Sequence, residues 1–246
     1  MSVYESEKAL YKKIFGDSEY LTDFIFRRAS KVYSKYIDGS CVALIIATDK
    51  VLKVNKCKRK IKFLTGVCTD ENVRGKGYFK ELLNEVENDA ESDKAVGIML
   101  ATYIPAIYDK FNYKVIKKQS KIVCRGEDLN YSLAVSNASF MRMNYQEILG
   151  KFNMGIERPK KYYDGLDDIL KKEGLIVCKL NLDGRNLGYI LTDVKGNIEE
   201  TTVPVFDLLQ ANCLSGMRIR ETYFMFKPIS NDFELIGDAL VLDVYL

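Results

Sequence analysis

The sequence predicts an α+β fold on an α/β mixed sheet, and three observations carry that expectation. Two helical stretches open the chain, and an Asp38-Gly39 turn then joins two strand-like segments. From Ile61 onward strand, helix, strand, helix and strand succeed one another. Composition permits such a fold: 246 residues, 47% hydrophobic and 29% charged, form an ordinary globular mixture able to fill one large core or two modest ones.

In order, residues 4–15 and 18–29 carry apolar side chains at helical spacing (Leu10, Ile14; Leu21, Phe24, Ile25), with Gly16-Asp17-Ser18 between them as a stop and an N-cap. Residues 31–37, the Asp38-Gly39 turn and the apolar run 41–46 read as a hairpin, followed by a further strand pair at 51–54 and 61–69. Behind a glycine loop, Phe79, Leu82, Leu83 and Val86 fall at i, i+3, i+4 and i+7, the pattern of an amphipathic helix. A buried strand at 95–102, a short helix at 105–111 and a strand at 113–123 complete the first half.

Gly126-Glu127-Asp128 reads as a boundary, dividing the chain into domains 1–128 and 129–246. Beyond it, helices are expected at 145–152, 160–172 and 204–214. Strands are expected at 175–182, 187–194, 197–203, 217–227 and 239–246. The turn-and-strand segment 38–46 also aligns without gaps on 183–191, so the second half either repeats the first or merely contains a similar hairpin.

Several function classes are excluded early. The first residues lack a signal-peptide pattern and no apolar run approaches the roughly 20 residues that span a bilayer, so a soluble, cytoplasmic protein without a membrane partner is expected. Six scattered cysteines form no C-x-x-C pair and the chain contains no histidine, which argues against a metal site or a Cys-His dyad. The same absence removes the usual general base near neutral pH. A net charge of +3 is too small to imply nucleic acid. It is unevenly divided, with 24 Lys and Arg against 18 Asp and Glu in residues 1–128 and 13 against 16 thereafter. The cationic run Lys50, Lys53, Lys56, Lys58, Arg59, Lys60 and Lys62 reads as a solvated hairpin, with an anion patch as the weaker alternative.

The segment with the strongest chemistry is Gly66-Val67-Cys68-Thr69-Asp70-Glu71-Asn72-Val73-Arg74-Gly75-Lys76-Gly77-Tyr78-Phe79, which joins an apolar strand to the amphipathic helix. Its glycines let successive N–H groups and a helix N-terminus converge, as a phosphate nest requires, and Arg74 and Lys76 add positive charge. Glycines alone suit a basic surface turn equally well. The loop is neither G-x-x-x-x-G-K-[ST] nor G-x-G-x-x-G, since Lys80 occupies the third glycine's place.

Arg74-Gly75-Lys76-Gly77 after an apolar strand resembles motif A of the GNAT N-acetyltransferase superfamily, whose R/Q-x-x-G-x-G/A loop holds the pyrophosphate of acetyl-CoA. Phe79 replaces the small residue that ends that pattern, a departure familiar from the branch of the enhanced intracellular survival (Eis-like) acetyltransferases. The resemblance implies that backbone groups of Val67, Cys68 and Thr69 pair with the pantetheine arm. It further implies that the N–H groups of Arg74, Gly75, Lys76, Gly77, Tyr78 and Phe79 hold the phosphates. Downstream, 100–113 resembles the family's strand, helix and Y-x-x-F-G-[FY] ending, with Asn112 in place of glycine, a mild change because Asn tolerates a left-handed backbone. Tyr108 then stands where the family places a general acid.

The function so implied is transfer of an acetyl group from the cosubstrate acetyl-CoA to a primary amine of a small molecule or peptide, by direct attack in a ternary complex. No metal and no nucleic acid are expected, and homo-oligomerisation is left open. Asp70 and Glu71 flank the loop but read as a solvated turn, so the base is unassigned. Residues 129–246 resemble a degenerate GNAT-like domain of the same branch, since no G-x-G follows residue 128. The alternative is a catalytically inactive acyl-CoA-binding sensor or scaffold.

Overall fold

The computed structural model describes residues 2–123, 132–182, 185–194, 198–202, 218–230, 233 and 239–240. The chain divides into two compact units. The first comprises Met1–Ile116 with Phe224–Ile236, and the second Lys117–Tyr223 with Gly237–Leu246.

In the first unit, Ser2 caps helix α1 (Val3–Phe15) by accepting the Glu5 N–H at 3.2 Å, and Gly16, at φ +72°, ends it. Ser18 caps α2 (Glu19–Arg28) through the Leu21 N–H. Strand β1 (Lys31–Ile37) turns at Asp38 and Gly39, both at positive φ, into β2 (Ser40–Val54), which turns again at Asn55 and Lys56 into β3 (Cys57–Thr69). The two strand pairs expected from the sequence are therefore one continuous antiparallel meander. Alternation persists through the stretch that broke the apolar run, because Leu52 and Val54 turn inward between exposed or half-exposed lysines.

Helix α3 (Tyr78–Ser92), strand β4 (Gly97–Thr102), the one-turn helix α4 (Ala106–Asp109) and strand β5 (Lys114–Val123) follow. β3 and β4 are parallel, so the sheet is mixed. Helices α1 and α2 cover the face that presents Cys41, Leu44, Ile46 and Cys68. Ile45 and its register partner Tyr33 point to the opposite face, where the Tyr33 hydroxyl donates to Asp89 of α3. Leu82, Leu83, Val86 and Ala90 of α3 are buried, as their spacing requires.

The sheet of this unit is completed by a distant segment. Strand β11 (Arg218–Pro228) enters this unit at Phe224 and lies beside β4 there, and its Phe224, Met225 and Phe226 are buried. The Phe226 ring occupies the space over Gly97, where an added Cβ would lie 2.1 Å from it. Lys62, expected in the solvated run, is only 4% exposed: its ammonium reaches Asp49 at 2.8 Å and Asp93, the C-cap of α3. Cys41, Cys68 and Cys178 are buried and Cys57 is exposed.

The second unit holds strand β6 (Ser132–Val135), helix α5 (Ala138–Lys151), strand β7 (Met154–Glu157) and helix α6 (Leu166–Lys172). Its further strands are β8 (Leu175–Leu182), β9 (Arg185–Asp193), β10 (Ile198–Thr201) and β12 (Ala239–Leu240). β10, β9, β8 and β6 form an antiparallel sheet, while β7 pairs with β12. α5 starts earlier than its apolar pattern indicates because Asn137 caps it through the Phe140 N–H. The helix expected over 160–172 is broken at Gly165, at φ +72°, leaving a 3-10 turn and α6. Buried Arg158 makes bidentate contacts to Glu200 at 2.9 and 2.7 Å and lies over the rings of Tyr145 and Tyr162. The helix expected at 204–214, the turn at 183–184 and residues 241–246 fall outside the described residues.

Among the described residues no helix is long and apolar enough to cross a membrane, and no group of three or more His, Cys, Asp or Glu side chains could hold a metal ion.

Candidate functional site

Strand β3 changes character at its C-terminal end. Ile46 pairs with Thr65 and Leu44 with Cys68, so Gly66 and Val67 together oppose Ile45, which is a β-bulge. Gly66 takes φ +58°, and a Cβ there would sit 2.8 Å from Tyr11 Cε2 and 2.9 Å from Ile46 Cδ1. Only glycine satisfies both the left-handed backbone and the contact with α1. Tyr11 is held in place by its hydroxyl, which donates to Asp17 at 2.7 Å.

The bulge coincides with a parting of strands. The β3–β4 ladder runs from Ile61↔Gly97 to Leu64↔Leu100, yet β3 continues to Thr69 and β4 ends at Thr102. Beyond Leu64 the edge of β3 turned away from β2 therefore has no ladder partner from β4, the kind of edge to which an extended amide chain can add. The expected pantetheine contacts, Val67, Cys68 and Thr69, lie on this segment. Cys68 can contribute only its backbone. Its thiol points into the core beneath α1 and α2, and burial pushes its pKa up to about 12, so it is no nucleophile.

Past Thr69 the chain is braced from α1. Asp70, read from sequence as a solvated turn residue, caps the 3-10 turn Glu71–Val73 by accepting the Asn72 N–H at 3.0 Å, and it pairs with Lys13 at 2.8 Å. Lys13, with its hydrogen bond foremost, holds the Asp70 carboxyl below its usual range. Arg74 returns its Nε–H to the Thr69 carbonyl at 3.3 Å. Gly75 and Gly77 then take φ +81° and +88°, and a Cβ on either would meet nothing within 4 Å. Backbone conformation rather than packing demands glycine there, and the loop faces open space. α3 starts at Tyr78 with no side-chain cap, so its first-turn N–H groups and the positive end of its dipole are available to an anion. Lys76 is exposed beside them, and Tyr78 is half-buried with the Lys35 ammonium 5.5 Å from its ring.

Tyr108 sits in α4, whose turn is closed by the Tyr108 N–H donating to the Pro105 carbonyl at 2.8 Å. Asn112 adopts φ +66°, the left-handed conformation expected of the residue replacing glycine. Tyr108 is 8% exposed and packs edge-on against Phe79 at 5.8 Å and Tyr113 at 5.9 Å. Phe79 also meets Phe111 at 5.2 Å. The large residue that departs from the glycine-loop pattern thus joins the helix start to the candidate acid. Sequence reading missed this cluster, although the Tyr108, Phe111 and Tyr113 spacing carried its signal. Burial alone pushes the Tyr108 phenol up to about 12, so it stays protonated across the physiological range.

Residues 5–116 match the family described as Acetyltransferase (GNAT) domain. No curated protein matches the sequence. Among solved structures, the chain is similar to a GCN5-related N-acetyltransferase from Anabaena variabilis ATCC 29413. That likeness has TM-score 0.67 and 11% identity, covering 92% of this chain and 70% of the other. It is also similar to a GCN5-related N-acetyltransferase from Kribbella flavida, with TM-score 0.62 and 12% identity, covering 92% and 69%. Eis1 from Mycobacterium abscessus gives TM-score 0.61 and 10% identity, covering 92% and 71%. At such identities the likeness is one of fold.

Proposed function

We propose that this chain is an acetyl-CoA-dependent N-acetyltransferase acting on a primary amine of a small molecule or peptide. The observation that carries the reading is the continuity of one surface. An unpaired edge of β3 leads through two left-handed glycines to an uncapped 15-residue helix, and the first turn of that helix packs on Tyr108.

In this reading Val67, Cys68 and Thr69 offer backbone groups to the pantetheine arm, as an added strand would receive them. Arg74, Gly75, Lys76, Gly77, Tyr78 and Phe79 offer N–H groups and positive charge to the pyrophosphate. When bound, the thioester supplies an activated acyl group and a thiolate leaving group. Tyr108 donates its proton to that sulfur as the amine nitrogen bonds the carbonyl carbon and the C–S bond breaks. The chain has no histidine to take the amine's proton, so the base stays unassigned, water being one acceptor that would serve.

The same reading extends to residues 129–246 as a degenerate acetyltransferase-like half of the Eis-like branch, since they contain no G-x-G. A second reading, an acyl-CoA-binding sensor without turnover, is favoured by one observation: Asp70, beside the loop, is engaged by Lys13 and the 3-10 turn.

Calorimetric titration with acetyl-CoA, together with amide exchange over residues 74–80, tests the binding step. No binding, or binding without protection of those amides, refutes the site. Thiol release over a panel of polyamines, aminoglycosides, amino acids and peptides separates enzyme from sensor, which would bind acetyl-CoA without consuming it.

A further inference from the structure

The turn between α1 and α2 has no part in the reading above, yet one side chain ties it to the bulge. The ring of Tyr11 meets Gly66, where an added Cβ would stand 2.8 Å from Cε2, and the Tyr11 hydroxyl donates to Asp17 Oδ2 at 2.7 Å. The width of a single phenol ring therefore separates the Asp17 carboxylate from the strand segment assigned to the cofactor arm. Burial first, then the Asp17 carboxylate, push the Tyr11 phenol up, so it stays protonated and acts as the donor. Asp17 is half-buried and its backbone is fixed from both sides. The Gly16 N–H closes α1 on the Lys12 carbonyl at 2.9 Å, and Ser18 caps α2 through the Leu21 N–H at 3.1 Å. Phe15, 43% exposed, lays its ring against Tyr11 with centroids 4.6 Å apart. The lysines in the last turn of α1 are engaged by other carboxylates, Lys12 by Glu19 and Lys13 by Asp70. An anion and an accessible apolar ring thus stand together, both against the side chain that touches the bulge.

We propose that Asp17 determines acceptor specificity, holding the second ammonium of a diamine while its first nitrogen attacks the thioester; this rests on the acetyltransferase reading above. A carboxylate favours the charged form of an amine beside it, whereas the attacking nitrogen must be neutral, so the nitrogen held at Asp17 is not the one that reacts. A carboxylate offers about four acceptor sites, of which the Tyr11 hydroxyl takes one. The methylene spacer of the acceptor runs along the exposed Phe15 ring, and the length of the Tyr11 ring sets the separation of the two nitrogens. At the reacting end the N–C bond forms and the C–S bond breaks. The sulfur takes its proton from Tyr108, and the proton leaving the nitrogen ends in solvent. The product is the monoacetylated diamine, which keeps its second charge.

The acceptors to compare are 1,4-diaminobutane and 4-amino-1-butanol, which match in length and differ in one charge. Thiol release from acetyl-CoA should give the native chain a kcat/KM about tenfold or more higher for the diamine, the worth of one hydrogen-bonded charge, with the difference carried by KM. Asp17→Asn keeps an oxygen for the Tyr11 hydroxyl and should bring that ratio near one. A ratio near one in the native chain, or a preference for the diamine that survives in Asp17→Asn, overturns the proposal. If Asp17→Asn does not fold, Asp17→Glu replaces it: the charge is kept on a longer arm, and the preferred acceptor should shift from 1,4-diaminobutane to 1,3-diaminopropane. An unshifted preference there overturns the proposal as well. Calorimetry with acetyl-CoA separates the two layers. No binding removes the acetyltransferase reading and the second-ammonium site with it, whereas binding and turnover at equal rates on the two acceptors removes the second-ammonium site alone. Binding of acetyl-CoA with neither amine acetylated also overturns the assignment of Asp17.

Discussion

Gly66→Ala should damage this protein more than any other glycine substitution in the glycine loop of residues 66–79, and the cost follows from the bulge. At φ +58° an alanine pays about 1–2 kcal/mol for a left-handed backbone. Its Cβ would also lie 2.8 and 3.1 Å from the Tyr11 ring and 2.9 Å from Ile46 Cδ1. Tyr11 has little room to retreat, because its hydroxyl is bonded to Asp17 and its ring is packed by Phe15 at 4.6 Å and Phe26 at 5.7 Å. Such overpacking adds about 1–3 kcal/mol, giving a total of about 2–5 kcal/mol. For a chain of this length that corresponds to a fall in Tm of about 4–20 °C, read by differential scanning calorimetry. Gly75→Ala is the control: its Cβ meets nothing within 4 Å, so only the backbone strain of φ +81° remains. It should melt closer to the native chain while losing more affinity for acetyl-CoA, because the new methyl enters the space over the loop. A Gly66→Ala variant that melts within 2 °C of the native chain, or no less stably than Gly75→Ala, would refute the claim that the bulge is fixed by contact with α1.

Tyr108→Phe should lower kcat by about 10²-fold or more while leaving acetyl-CoA affinity near its native value, measured by thiol release and by calorimetry. Because the Tyr108 phenol is held up to about 12, no basic limb from this group should appear in the kcat–pH profile at or below pH 10; a limb that vanishes in Tyr108→Phe would contradict the burial argument. Arg158→Met strands the Glu200 carboxylate in the second unit and should cost about 3–5 kcal/mol by urea unfolding. The double change Arg158→Met with Glu200→Leu should recover much of that loss. Lys62→Met should destabilise the chain with a pH signature. Lys62 depresses the Asp93 pKa, so that contribution is present above the ordinary carboxyl value of 3.8 and is lost as pH falls through the lowered value. Burial lowers the Lys62 pKa, but the Asp49 and Asp93 carboxylates together outweigh it and raise the value, so its share is present below the ordinary value of 10.5 and is lost as pH rises through the raised one. The stability gap between variant and native chain should therefore be widest between those limits and close in acid.

Local signals explain which parts of the fold were legible in the residues. The Ser18 cap, Gly16, the Asp38-Gly39 turn and the period of Leu82, Leu83 and Val86 each act over a few positions, and each element they announce is present. Lysines obscured the continuity of β2 and β3, because a half-buried strand alternates and its outward residues hide the apolar ones. Asn137 started α5 earlier than its apolar pattern indicated, and Gly165 cut the expected helix before α6. In both places a capping or left-handed residue outweighed periodicity.

The residues by themselves determined the chemistry on offer: two glycines at left-handed positions in a basic loop, a helix to follow, a tyrosine at the expected distance and no histidine. Those features depend on backbone freedom, charge and side-chain identity, which are properties of short segments. Tertiary structure alone decided the rest. Tyr11 presses on Gly66 from 55 positions away in sequence, the β3–β4 ladder stops at Leu64, Lys13 takes Asp70, and Phe226 returns from the far end of the chain to lie over Gly97. Each of these pairs distant residues, and such contacts form only when the whole unit closes, since the loop entropy they cost is repaid by burial no single segment can supply.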